Sequence, residues 1–115
     1  MASSQPRTFH VATKLVAGLA NRRTLASIAA GRDWFGQGRA ITDELRAEIR
    51  REGIHEPIRI ALTRAGRPYL SDGHHRLYVA ISLKMATVPV IIATDYLPQA
   101  TYFAPEDIDW KQTKS

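Results

Sequence analysis

Six consecutive apolar residues, Val88-Pro89-Val90-Ile91-Ile92-Ala93, constrain the fold of this chain more than any other segment. The run has the length of a strand and no polar position to turn towards water. It therefore predicts a strand in the middle of a sheet, covered on both faces. A central strand needs neighbours, and the preceding sequence supplies them. After Glu56-Pro57, the residues Ile58, Ile60 and Leu62 alternate with Arg59 and Ala61. That alternation predicts a strand over Pro57 to Leu62 with its proline at the start or edge. Thr63 to Arg67, with Gly66, reads as a hairpin connection, and Pro68 to Ser71 as the returning strand. Asp72-Gly73 then turns the chain into a helix running from His74 to about Met85.

The flanking segments complete an α+β pattern, a small mixed sheet with helices packed on it. Phe9, Val11, Thr13 and Leu15 alternate with more polar residues, which predicts a strand over Thr8 to Val16. Asn21 is positioned to cap a helix from Arg22 to about Ala30, with Leu25, Ile28 and Ala29 inward. Gly31, Gly36 and Gly38 surround Trp34 and Phe35 in a glycine-rich loop. Thr42 suits the cap of a helix reaching Glu52, with Asp43 and Glu44 at its positive start and Arg50 and Arg51 at its end. Leu45 and Ile49 form its buried stripe, and Gly53 stops it. Pro105 opens a helical turn through Glu106 and Asp107, and Trp110 anchors the tail. Residues 1–7 and 111–115 read as flexible ends of a single domain over residues 8–110.

At 115 residues the chain can build one modest core. It has no cysteine, so a disulfide scaffold, a thiolate metal site and a thiol nucleophile are excluded. No segment has the length of a transmembrane helix, and the first residues lack the apolar core of a signal peptide. The expectation is a soluble, cytoplasmic protein. Lysine and arginine total 16 against 11 acids, a net charge of +5. The excess lies early: Met1 to Ile41 holds six basic residues, Arg22 and Arg23 among them, against Asp33 alone. Such asymmetry suits a polyanionic partner, nucleic acid first. It equally suits a solvated surface.

Ser71 to Arg76 carries the chemistry. A strand ends, a glycine permits a tight turn, and a helix begins. The first turn of a helix leaves amide N–H groups unpaired and carries partial positive charge, so anions bind there. Gly73, His74, His75 and Arg76 are the candidate phosphate-binding residues. Arg76 has the planar fork that grips phosphate. Its competing role is an internal arginine paired with Asp72 or Glu56. Asp72 has three candidate roles: capping the helix, orienting a histidine, or holding a metal ion that bridges phosphates. Adjacent histidines on a helix diverge, and His10 and His55 have no ligand spacing, so no metal site of the protein's own is expected.

The segment Ile49 to Val90 resembles the ParB/sulfiredoxin superfamily. The matching order is a helix, then Gly53-Ile54-His55-Glu56-Pro57-Ile58, a hairpin, Asp72-Gly73-His74-His75-Arg76 opening a helix, then Val88-Pro89-Val90. The resemblance implies that the glycine turn and Arg76 bind the phosphates of CTP, ATP or ADP, with or without Mg2+, and that Glu56 lies beside the pocket. Sulfiredoxins place a catalytic cysteine where this chain has His74, so sulfinic-acid reduction is excluded. Chromosome-partitioning ParB proteins usually carry Gly-Glu-Arg-Arg and two further domains; this sequence has Gly73-His74-His75-Arg76, and a centromere-spreading clamp is not the expectation. The Asp-Gly-His-His-Arg form is most similar to small phage or plasmid members.

The leading expectation is thus a nucleotide-phosphate-binding, DNA-associated protein of phage or plasmid type, an NTPase or nuclease. It would use Arg22 and Arg23 on DNA. A second is a small-molecule kinase similar to the free-serine kinases, with Glu56 as general base and Asp72 steering a metal ion. A third is a catalytically silent module that binds a host protein through Trp34 and Phe35, whose competing role is simply to cover the core.

Overall fold

The computed structural model describes residues 3–31 and 38–111, residues 38–41 by their backbone alone. Trp34 and Phe35, with most of the glycine-rich loop, lie outside the described residues, as do residues 1–2 and 112–115. Strands and helices run in the order β1 (Phe9–Ala12), α1 (Thr13–Ala17), α2 (Arg22–Ala29), α3 (Gly38–Glu52), β2 (Ile58–Leu62), β3 (Pro68–Asp72), α4 (His74–Ser82), β4 (Thr87–Thr94) and β5 (Tyr102–Phe103). A 3-10 turn follows at Pro105–Asp107, as the proline suggests.

The apolar run forms β4, and it is central. The sheet order is β1-β4-β2-β3, with the short β5 also paired to β4. β4 runs parallel to β2 and antiparallel to β1 and β5, and β2 and β3 form the expected hairpin. Pro89 is tolerated in this central strand because pairing with β2 begins one residue later, at Val90 opposite Ile58. Alternate residues of the strands then make the core. Ile58, Ile60, Leu70, Val88, Val90 and Ile92 gather with Val16 of α1 and with Leu77 and Ala80 of α4. Each of the fully buried Ile and Leu side chains contributes about 1.5–3 kcal/mol, so this cluster holds the helices to the sheet.

Several boundaries differ from the sequence expectation. The strand expected over Thr8 to Val16 ends at Ala12, and Thr13 to Ala17 is helical. Thr13 ties the chain at the end of β1, since its N–H donates to Ala86 O at 2.9 Å and its hydroxyl to Met85 O at 2.6 Å. Thr13 and Val16, three apart, are buried while Leu15 is 41% exposed, so the true period here is helical. α3 starts at Gly38, which makes Thr42 a buried interior residue and not the cap. Ala29 faces outward, and Ile28 carries the burial of α2. α4 ends at Ser82, and Lys84 takes a left-handed φ of 56° as Met85 N–H closes back on Ala80 O. Trp110 packs on the core cluster and donates to Pro105 O at 3.0 Å. Near the amino end, Ser3 and Tyr102 exchange two backbone hydrogen bonds.

Candidate functional site

Gly73 is the one residue at the β3–α4 junction that the backbone forces. Its φ is +111°, in the left-handed region. A Cβ there would stand 3.0 Å from Ile58 Cγ1 and 3.3 Å from Ile58 Cα. Only a residue without a side chain lets β3 turn this closely over β2. The pairing register of β2 and β3 also slips between Arg59 and Ile60, just where Asp72 pairs with Arg59.

α4 starts at once after this turn. No side chain caps it, and no acidic residue lies in its first turn. Asp72, offered above as a cap, does not serve as one. The first amide with an intrahelical acceptor is Leu77, whose N–H donates to Gly73 O at 2.8 Å. The amides of His74, His75 and Arg76 come before it and carry the positive end of the helix dipole.

His74 links this helix start to another. Its Nε2 accepts the backbone N–H of Asn21 at 3.1 Å. Asn21 is the cap of α2, and its Oδ1 accepts from Thr24 N–H at 3.0 Å. Arg22 and Arg23 open α2, both exposed, with no acid in that first turn either. The helix that opens with Arg22 and Arg23 is thereby tied, at its cap, to the start of α4. The hydrogen bond requires a neutral, accepting His74 Nε2. Burial lowers the His74 pKa below the ordinary histidine range, the charge of His75 lowers it further, and Asp72 opposes both.

Arg76 points the other way, into the protein. Its side chain is 14% exposed. One terminal nitrogen donates to Glu56 O at 3.0 Å, to the Glu56 carboxylate at 3.2 Å and to Pro57 O at 3.4 Å. The other donates to Asp72 Oδ2 at 3.2 Å. The guanidinium thus staples the start of β2 to the start of α4. It also holds both candidate catalytic carboxylates, Glu56 and Asp72, each of which is largely exposed. The geometry matches the internal arginine weighed above, with both proposed partners engaged.

Two features escaped the sequence reading. Glu48, Glu52 and His55 bring ligand atoms within 4.8 Å of one another at the end of α3, all exposed. The i, i+4 spacing of Glu48 and Glu52 was the available signal, and the fold adds His55. These three donors could take a divalent ion, though Glu52 already pairs with Arg51. Glu48 and His55 border a cleft of about 310 Å3 that also includes Glu56 and Arg76. A larger cleft of about 680 Å3 lies against β3, with Tyr69 and Asp95 in its wall. Those two meet only through the strand order, so no local pattern announces them.

Comparison with solved structures decides the fold. The chain is similar to a crystal structure of sulfiredoxin from Arabidopsis thaliana, with a TM-score of 0.55 and 20% identity over 78% of this chain and 88% of that one. It is similar to a Pnob8-like ParB-N domain, with a TM-score of 0.51 and 12% identity over 93% of this chain and 33% of that one. The chain has the ParB/sulfiredoxin-like fold. It spans about a third of the second of these chains. No protein-family model and no curated protein matches the sequence. Within the ParB/sulfiredoxin-like fold of this chain, Asp72 to Arg76 occupies the junction of β3 and α4. No helix of the described residues is long and apolar enough to cross a membrane.

Proposed function

We propose that this domain binds a nucleoside di- or triphosphate, CTP, ATP or ADP, with its phosphates at the start of α4. We place it as a cytoplasmic, DNA-associated protein of phage or plasmid type. One observation carries the reading. The first turns of α2 and α4 meet through the Asn21–His74 hydrogen bond, and neither contains an acid. Two positive helix ends are thus linked, and an anion gains from such ends.

In this arrangement the amides of His74, His75 and Arg76 cradle a phosphate, with Arg22, Arg23 and His75 as the candidate side chains that add charge or donors to it. Arg76 acts mainly from behind. It neutralises Glu56 and Asp72, two carboxylates that would otherwise repel the ligand, and fixes the helix start. Mg2+ on the bound phosphates would find Asp72 nearby. The kinase reading, with Glu56 as base, gains nothing from a carboxylate already held by a guanidinium.

A thermal-shift panel of CTP, ATP, ADP and UTP, with and without Mg2+, tests the proposal. Ligand at about 100 times its Kd adds about 2.7 kcal/mol of stability, which moves the Tm of a domain this size by several degrees. The expected result is such a rise with at least one nucleotide, reduced in Arg22→Ala/Arg23→Ala and in His75→Ala. A Tm indifferent to every nucleotide would overturn it.

A further inference from the structure

The end of α3 gathers donors that the phosphate reading does not use. Glu48 and Glu52 lie one helical turn apart on the same face, and Gly53, at a φ of +80°, stops the helix and turns the chain. The turn brings His55 back beside the last turn. One ligand atom from each of Glu48, Glu52 and His55 then lies within 4.8 Å of the others. Spacing along the chain does not announce the third donor, because His55 follows the helix stop and not the helix repeat. Arg51 donates to Oε2 of Glu52 at 3.1 Å and leaves Oε1 facing His55 Nε2 at 3.7 Å. That separation is too long for a hydrogen bond. It is close to the ~3.3 Å between two ligands of a tetrahedral ion with bonds of ~2.1 Å. Glu48 has no hydrogen bond or ion pair among the described residues. The helix dipole adds negative potential at this end, partly offset by Arg50 and Arg51.

From this geometry we infer that Glu48, Glu52 and His55 form a site for a divalent transition ion of the Zn2+ class, which ties the end of α3 to the segment entering β2. One imidazole and two carboxylates suit Zn2+, whereas Mg2+ prefers oxygen ligands and keeps its water. Three protein ligands leave the fourth position of a tetrahedral ion open. Glu48 and His55 also border the 310 Å3 cleft that reaches Glu56 and Arg76, so the ion sits at the rim of that cleft. The inference is independent of the phosphate reading of α4. All three side chains are exposed, so replacing them one at a time leaves the fold intact.

Isothermal titration of ZnCl2 and of MgCl2 into the full chain, stripped of metal with EDTA and without nucleotide, is the test. His55→Ala, Glu48→Gln and Glu52→Gln are the variants, and His10→Ala, at an exposed histidine elsewhere, is the control. The expected result is saturable binding of Zn2+ that is tighter than that of Mg2+. Each of the three variants then weakens Zn2+ by at least about tenfold, since losing even the support of a ligand costs that much. His10→Ala leaves the affinity unchanged. In proton NMR the ring signals of His55 move on addition of Zn2+. Zn2+ bound no more tightly than Mg2+, an isotherm that does not saturate, or His55→Ala binding Zn2+ as the wild type does would overturn the site. So would loss of Zn2+ binding in His10→Ala, or His55 ring signals that ignore the ion.

Discussion

Gly73 and Arg76 make opposite demands on substitution. Gly73→Ala puts a Cβ 3.0 Å from Ile58 Cγ1 at a φ of +111°. The left-handed strain alone costs about 1–3 kcal/mol, and Ile58 in the core has little room to move. Urea denaturation should show a loss in that range or above, and a variant as stable as the wild type would remove the steric account of the turn. Arg76→Ala tests whether the guanidinium serves the fold or a ligand. Its ion pairs to the exposed carboxylates are worth little, about 0–1 kcal/mol each. Its bonds to Glu56 O and Pro57 O at the start of β2 matter more, and their loss should lower stability by about 1–3 kcal/mol in the same measurement. Unchanged stability with nucleotide binding abolished would return Arg76 to direct phosphate contact.

The helices α2 and α4 are coupled through a titratable joint, the Asn21 N–H to His74 Nε2 bond. The folded His74 pKa lies below its ordinary 6.5, burial being the main cause. The unfolded chain therefore binds more protons as pH falls through this range. The stabilising contribution is complete above about pH 6.5 and is lost as pH drops through the folded value. The urea midpoint should fall between about pH 7 and pH 5. His74→Gln, whose amide oxygen accepts without titrating, should flatten that fall, and parallel curves for the two proteins would discard the joint. Other elements show what the sequence could and could not tell. β4 was plain because its six apolar residues admit little else, and the β2–β3 hairpin because Gly66 and the alternation agree. The Gly73 turn and the Asn21 cap were equally local signals. Thr8 to Val16 misled because a two-residue alternation ran by chance into a helix whose buried positions, Thr13 and Val16, are set by Met85 and Ala86 far along the chain. β5 has two residues and takes its pairing entirely from β4, so no local pattern marks it. Within the site, Gly73 to Arg76 was legible as a motif. Its link to α2 through Asn21 and His74, and the direction Arg76 takes, depend on tertiary contacts that no spacing encodes.

Across the whole molecule, the net charge of +5 sits mostly in the first third of the sequence. DNA association through Arg22 and Arg23 would release counterions. Affinity should then fall steeply between about 50 and 200 mM salt, equally for all DNA sequences, and Arg22→Ala/Arg23→Ala should flatten the slope. Binding that ignores salt, or none at low salt, would remove DNA from the account. The nucleotide claim is tested most directly by backbone amide NMR during titration with CTP, ATP and ADP. Anion binding at the start of α4 predicts that the His74, His75 and Arg76 amides shift first and furthest, with Asn21 and Arg22 following. Shifts confined to other parts of the fold, or none with any of the three nucleotides, would contradict it.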